Sequence, residues 1–196
     1  MTLAFTLCSI NYLAQARTLG DSLKRTNPHI RFIIGLVDRL DVAQVPEDKL
    51  PDFELLELHR IGIDGLDQMC EHYNITELNT AVKPYFIRYF FEKVPQVRNV
   101  IYFDPDIIVY QPLTQLENLL EANDIVVTPH LATPIDDQLT PNELHHLNTG
   151  VYNLGFIALH KSIEAVEFVK WWEEKLFDEC KIDLCKGLFV DQNWVN

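Results

Sequence analysis

Two runs of the sequence are almost continuously apolar, and they constrain the fold more than any other feature. The first is LAFTLCSI, residues 3–10, and the second is IRFIIGLV, residues 30–37. Runs of this kind indicate strands that are buried on both faces, as in a parallel sheet covered by helices. Apolar residues recur at helical spacing between the two runs, which predicts a helix over residues 13–25.

The alternation of strands and helices continues along the chain. It predicts an α/β fold: a doubly wound, Rossmann-like, mostly parallel sheet with flanking helices, in one domain over residues 1–196. The further predicted elements are a strand at FELLEL (53–58), a helix at KPYFIRYFFEKV (83–94), strands at DIVVT (124–128) and VYNLGFIAL (151–159), and a helix from Ser162 to about Glu179.

Two local signals refine this outline. Thr114 and Glu117 have the spacing of a capping box, which predicts that a helix starts there. Residues 131–150, LATPIDDQLTPNELHHLNTG, are polar and contain proline, which predicts a long loop of the kind that is usually functional.

Composition excludes some classes of function. The chain has 196 residues, is 47% apolar and carries a net charge of −13, which suits one globular domain and disfavours nucleic-acid binding. Its four cysteines form no CxxC pair, so we expect reduced thiols in a cytoplasmic protein. No apolar run reaches the roughly 18 residues of a membrane-spanning helix.

The run VIYFDPDIIV, residues 100–109, is typical of a buried strand, but it carries two carboxylates, Asp104 and Asp106, on either side of Pro105. Residues two apart in a strand point to the same side, and a proline indicates that ladder pairing stops. We therefore expect the acids at the carboxyl end of the strand, where open α/β sheets bind ligands. Their hard oxygens suit Mn²⁺ or Mg²⁺. A polar turn between two short strands is the alternative, which the apolar flanks disfavour.

Three segments together resemble the GT-A fold glycosyltransferases, nucleotide-sugar enzymes with a DxD motif. NTAVKPYFIRYFFEKVPQVRNVIYFDPDIIVYQPLTQLENLL (79–120) is similar to the central block of the family 8 group, which includes glycogenin-like and galactosyltransferase-like enzymes. NTGVYNLGFIALHKS (148–162) resembles that group's Asn-x-Gly-Phe segment, and FVDQNWVN (189–196) resembles its DQ segment. The resemblance implies a metal-dependent transfer of a sugar from a nucleotide diphosphate sugar, most simply a UDP-sugar, to the hydroxyl of a carbohydrate acceptor, with retained anomeric configuration.

The resemblance also implies roles for individual residues. Asp106 would be the principal metal ligand, with Asp104 on the metal or the ribose. Lys83 is favoured over Arg88 to reach phosphate or sugar, because a cation in the first turn of a helix opposes the helix dipole. The nucleoside would be held by Ser9, Asn11, Tyr12 (by stacking on the base) and Asp38, and the donor sugar would be surrounded by Asn153, Asp191 and Gln192.

Other interpretations stay open. A nucleotidyltransferase acting on sugar phosphates shares such a sheet, but it is expected to carry a Gly-rich, basic loop where this chain has CSINYLAQAR, residues 8–17. A catalytically inactive nucleotide-sugar binding module and an acidic scaffold are further alternatives. Relatives usually supply a metal-binding His beyond the DQ segment, so we expect that a C-terminal segment is missing after Asn196 or that the metal site is completed otherwise.

Overall fold

A computed structural model describes residues 1–135 and 139–195 of the chain. A six-stranded sheet lies at its centre, in the order β3-β2-β1-β4-β6-β5. Parallel pairing joins β3, β2, β1 and β4, and β6 is antiparallel to both β4 and β5. The predicted α/β fold with a mostly parallel sheet is therefore confirmed. The strands are β1 (Thr2–Cys8), β2 (Arg31–Leu36), β3 (Glu54–Glu57), β4 (Asn99–Phe103), β5 (Ile125–Pro129) and β6 (Tyr152–His160).

Helices cover both faces of the sheet, and a two-stranded hairpin follows the last of them. Within the described ranges, no helix combines the length and the apolar character needed to cross a membrane. The helices are α1 (Leu13–Thr26), α2 (Leu40–Ala43), α3 (Leu66–His72), α4 (Ile75–Ala81), α5 (Lys83–Lys93), α6 (Thr114–Leu120), α7 (Glu143–Thr149) and α8 (Ile163–Asp178), and the hairpin strands are β7 (Ile182–Asp183) and β8 (Leu188–Phe189).

The two faces of β1 show why its sequence is continuously apolar. Phe5 faces α5, where its ring lies 5.1 Å from that of Phe90. Ala4 and Cys8, which are one and three residues from Phe5, face the opposite layer with Leu19 of α1. Because both faces of the strand are buried, its sequence does not alternate between apolar and polar residues.

The predicted capping box at Thr114 is wrong. The helix does begin at Thr114, but its N-cap is Leu113 and no side chain caps it. The Glu117 carboxylate instead accepts a hydrogen bond from the Thr2 hydroxyl at 2.7 Å, on the neighbouring strand. A capping box does occur at Asn74, whose side chain accepts from the backbone of α4 while Glu77 accepts from the Asn74 N–H.

The segment predicted as a loop over residues 131–150 contains a helix. Its N-cap is Asn142, whose side-chain oxygen accepts a hydrogen bond from the His145 N–H at 3.0 Å. Helix α7 then runs to Thr149, just before β6. Residues 136–138 of the same segment lie outside the described residues.

Candidate active site

The two acids lie in a turn at the carboxyl end of β4. The strand ends at Phe103, and the Ile107 N–H donates to the Asp104 carbonyl at 3.2 Å to close the turn. Residues 100–109 therefore do not form the one continuous strand that their apolar character indicated, and the acids follow the carboxyl end of β4, as Pro105 indicated. Val109 is apolar because it is buried, and its N–H donates to the Ser22 hydroxyl of α1 at 3.0 Å instead of pairing in the sheet.

Asp104 is held by both its backbone and its side chain. Its N–H donates to the Gly155 carbonyl of β6 at 2.7 Å. Its Oδ1 accepts a hydrogen bond from the Tyr102 hydroxyl at 2.6 Å. Burial raises the pKa of the Tyr102 hydroxyl well above its usual value, and the Asp104 carboxylate raises it further, so Tyr102 stays a proton donor.

The other oxygen of Asp104 faces β6. A Cβ placed on Gly155 would lie 2.8 Å from Asp104 Oδ2 and 3.0 Å from Asn153 Oδ1. Only a glycine leaves both oxygens in place, so the space between them is kept open by the absence of a side chain. Asp106, two residues on, is exposed to solvent.

These residues fit a divalent cation of the Mg²⁺ or Mn²⁺ type. Such ions keep several waters and are bound through one or two carboxylates together with substrate phosphates. Asp104 and Asp106 supply that number of carboxylates at a solvent-facing edge. Among the described residues no group of three or more His, Cys, Asp or Glu side chains could hold a metal by itself.

Lys83 and Asp191 form a buried ion pair behind the turn. Lys83 Nζ lies 2.5 Å from Asp191 Oδ2 and donates to the Leu154 carbonyl at 2.7 Å, and each of the two side chains is only 3% exposed. The ammonium group also lies 4.3 Å from the centre of the Tyr102 ring. Burial raises the pKa of the Asp191 carboxyl, while Lys83 opposes that rise. Lys83 thus has protein partners in this structure, and its predicted contact with phosphate stays a prediction.

A groove of about 620 Å³ opens at the same edge of the sheet. It joins the loop that follows β1 to Asp38 after β2 and to Pro105 of the acidic turn, with helix α4 as its other wall. The predicted nucleoside residues are thereby brought together. The residues lining the groove are Leu7, Cys8, Ser9, Ile10, Asn11, Tyr12, Asp38, Ile75, Thr76, Asn79 and Pro105.

Side chains fix the loop that forms this groove. Asp38 Oδ2 accepts a hydrogen bond from the Ile10 N–H at 2.6 Å, which ties the end of β2 to the loop after β1. Asn79 of α4 donates to the Ser9 hydroxyl at 3.2 Å. The Tyr12 ring is 45% exposed and so available for stacking. Cys8 stays a thiol, because burial and, less strongly, Asp38 raise its pKa to about 12.

Of the remaining predicted residues, one lies beside the acidic turn, one packs against the chain before the start of β6, and one lies elsewhere. Asn153 is exposed at the start of β6, with its Oδ1 accepting from the Gly155 N–H at 2.9 Å. Gln192 packs against Gly150, directly before β6. Arg88, in contrast, pairs with Glu173 of α8 at 2.7 Å and lines a separate groove between α5 and α8.

The sequence reasoning overlooked three contributors to this edge. Tyr102 could have been found from the rule that residues two apart in a strand share a side, since it precedes Asp104 by two. Gly155 belongs to the Asn-x-Gly-Phe segment, but its role depends on Asp104, which lies across the sheet on the neighbouring chain segment. Asn79 and its neighbours on α4 form a wall of the groove, and no nearby sequence pattern predicts that position.

No protein-family model matches the chain. The uncharacterized protein YfnF of Bacillus subtilis (strain 168) is 25% identical over 198 residues, which cover 100% of this chain and 65% of that protein. The chain thus spans less than two thirds of the length of this relative.

Solved glycosyltransferases share the architecture. The galactosyltransferase LgtC, solved with donor and acceptor sugar analogues, matches 100% of the chain and 69% of its own length, with a TM-score of 0.57 and 18% identity. The apo form of the glycosyltransferase GlyE of Streptococcus pneumoniae TIGR4 matches 100% of the chain and 42% of its own length, with a TM-score of 0.56 and 18% identity. These likenesses concern the fold, and the fold of this chain is that of the GT-A glycosyltransferases.

Proposed function

We propose that the chain is a catalytic domain that transfers a sugar from a nucleotide diphosphate sugar, most simply a UDP-sugar, to an acceptor hydroxyl. One observation carries this proposal: in a GT-A fold, a single groove joins the loop after β1, Asp38 and the turn that holds Asp104 and Asp106. A nucleoside in the groove would place its diphosphate next to the two carboxylates.

The nucleoside end of the donor would lie against the loop after β1. The half-exposed Tyr12 ring offers a flat surface to a base, and stacking on an aromatic ring tolerates any base. Asn11 and the remaining oxygen of Asp38 offer polar contacts to the base or ribose. The residue spacing along the groove therefore suits a nucleoside followed by phosphates.

The diphosphate end would meet a cation held by Asp106 and Asp104. When bound, Mn²⁺ or Mg²⁺ supplies positive charge against the leaving diphosphate. The chain needs such a charge, since its own net charge of −13 repels anions. Lys83 adds a fixed positive charge behind the turn, where it offsets Asp191 and stabilises the local arrangement of acids.

The sugar would lie between the turn and the start of β6. Asn153, Asp191 and Gln192 would surround this position, with Asp191 held by Lys83 and Gln192 by its packing on Gly150. In the transfer, the bond between the anomeric carbon and the diphosphate oxygen breaks, a bond to the acceptor oxygen forms, and the acceptor proton leaves with the nucleotide diphosphate. We propose retention of configuration, on the resemblance to the family 8 enzymes. A cytoplasmic location is proposed on the four unpaired cysteines.

Thermal unfolding with nucleotides tests the proposal. We expect UDP with Mn²⁺ to raise the melting temperature, and we expect UDP or Mn²⁺ alone to do much less. Asp106→Ala should keep the fold and lose this stabilisation, because the residue is exposed. Asp21→Ala is the matched control, since Asp21 is an exposed acid of α1 that pairs only with Arg17 at 3.7 Å.

The outcomes separate the rival functions. Stabilisation by CTP in place of a nucleotide diphosphate would indicate nucleotidyl transfer, which the loop after β1 disfavours because it lacks a Gly-rich basic sequence. Binding of UDP without any hydrolysis of a panel of UDP-sugars would indicate a binding module. Equal stabilisation of the Asp106→Ala and unaltered proteins would remove Asp106 from the site.

A further inference from the structure

Tyr102 is a buried residue whose polar atom reaches the acidic turn. We propose that its hydroxyl is a positioning group that sets the orientation of the Asp104 carboxylate toward a divalent cation. This inference rests on the proposed function, because it concerns the cation that the two acids would hold.

The Tyr102 ring is fixed from several sides. It is 4% exposed, and its centre lies 5.1 Å from that of the Phe5 ring. The Lys83 ammonium group lies over it at 4.3 Å, and Lys83 is itself held by Asp191 and the Leu154 carbonyl. A ring held in this way has little rotational freedom, so its hydroxyl occupies one place in space.

The fixed hydroxyl selects one orientation of the neighbouring carboxylate. It donates to Asp104 Oδ1 at 2.6 Å, a length typical of a strong hydrogen bond to a charged oxygen. The backbone of Asp104 is fixed at the same time by its N–H bond to the Gly155 carbonyl. With both constraints in place, Oδ2 faces the open space in front of Gly155, toward Asn153 Oδ1.

This arrangement resembles the way that hydrogen bonds orient the ligands of known metal sites. Outer partners fix the ligand before the metal arrives, and their loss typically weakens metal binding 10- to 100-fold. A phenylalanine in the same place would fill the same core volume but would let the Asp104 carboxylate rotate. The Tyr102 hydroxyl therefore orients the metal ligand, whereas the ring contributes to packing. Replacement by phenylalanine removes the first role and keeps the second.

Tyr102→Phe is the direct test, and Tyr85→Phe is its matched control. The Tyr85 hydroxyl is also part of the core, but it donates to the Glu173 carbonyl of α8 at 3.2 Å, away from the acids. The affinity for Mn²⁺ is measured by electron paramagnetic resonance with Mn²⁺ alone and again with UDP. We expect Tyr102→Phe to weaken Mn²⁺ binding about tenfold or more and Tyr85→Phe to leave it unchanged.

A second readout separates positioning from a general loss of structure. In a donor-hydrolysis assay, the Mn²⁺ concentration for half-maximal rate should rise for Tyr102→Phe, while the rate at saturating Mn²⁺ stays near that of the unaltered protein. Equal Mn²⁺ affinities for Tyr102→Phe and Tyr85→Phe would overturn the inference and leave the cation site intact. Absence of Mn²⁺ binding by the unaltered protein with UDP would overturn both this inference and the proposed function.

Discussion

Breaking the buried pair of Lys83 and Asp191 should cost far more stability than breaking a more solvent-accessible pair on the same helix. The two charged atoms lie 2.5 Å apart, and both side chains are 3% exposed. Lys83→Met keeps most of the side-chain volume but leaves Asp191 as a buried charge without a partner. Such a loss typically costs about 3–5 kcal/mol, a large share of the roughly 5–15 kcal/mol that stabilises a domain.

Arg88→Met is the control for this substitution. Arg88 belongs to the same helix and also pairs with an acid at 2.7 Å, but the two side chains are 27% and 14% exposed. Solvent partly screens this pair, so we expect a smaller loss, of about 1 kcal/mol. With a slope near 2 kcal/mol per molar of urea, the unfolding midpoint should fall by about 2 M for Lys83→Met and about 0.5 M for Arg88→Met.

The pH dependence provides an independent check on the same reasoning. Burial raises the pKa of Asp191 above its usual 3.8 even opposite Lys83, and the rise should be larger without the lysine. The folded variant then holds a proton more tightly than the unfolded chain, so its free energy of unfolding decreases as the pH rises above about 3.8. The loss in free energy of unfolding caused by Lys83→Met should therefore be smaller at pH 5 than at pH 8. Equal midpoints for the two variants, or a loss that does not shrink toward pH 5, would refute the reasoning.

Two further predictions concern the acidic turn and the histidines of α7. Gly155→Ala should weaken Mn²⁺ binding about tenfold or more, because the new Cβ would lie 2.8 Å from Asp104 Oδ2. Gly35→Ala, in a core strand, should instead cost about 1–3 kcal/mol of stability with the Mn²⁺ affinity of the folded protein unchanged, and the reverse pattern would contradict the assignment. Burial and the stacked ring of His130, 4.6 Å away, lower the pKa of His146 below its usual 6.5. The free energy of unfolding should therefore decrease as the pH falls below about 6.5, and His146→Gln should reduce that slope in urea titrations.

The sequence was informative where a pattern reports burial directly. The runs that became β1 and β2 are apolar because helices cover both faces of the sheet, so their type and place could be predicted. The position of the acids at the end of a strand followed from Pro105 in the same way. The run after Pro105 misled, because Val109 is buried against α1 and not by strand pairing.

The remaining features depend on partners that are distant in the sequence. Glu117 has the spacing of a capping box, but the hydroxyl of Thr2, 115 residues away, competes successfully for its carboxylate. Lys83 was singled out because a cation at a helix start needs a reason, and that reason is an acid 108 residues later. Leu144 shows why α7 was overlooked: it is 69% exposed, so the helix has no apolar face directed to the core.

The strand that runs against its neighbours has a consequence for how the protein can diversify. Because β6 begins at the edge where β4 ends, the chain leaves the sheet after Pro129 and returns at Tyr152, its pairing partner. The His130 N–H donates to the Val151 carbonyl at 2.9 Å. This hydrogen bond holds together the two ends of the segment that leaves the sheet. Doubling the length of such a segment costs only about 0.6 kcal/mol. Insertions and substitutions between Pro129 and Tyr152 can therefore change which molecules approach this edge of the sheet, while Asn153 and the two acids keep their positions.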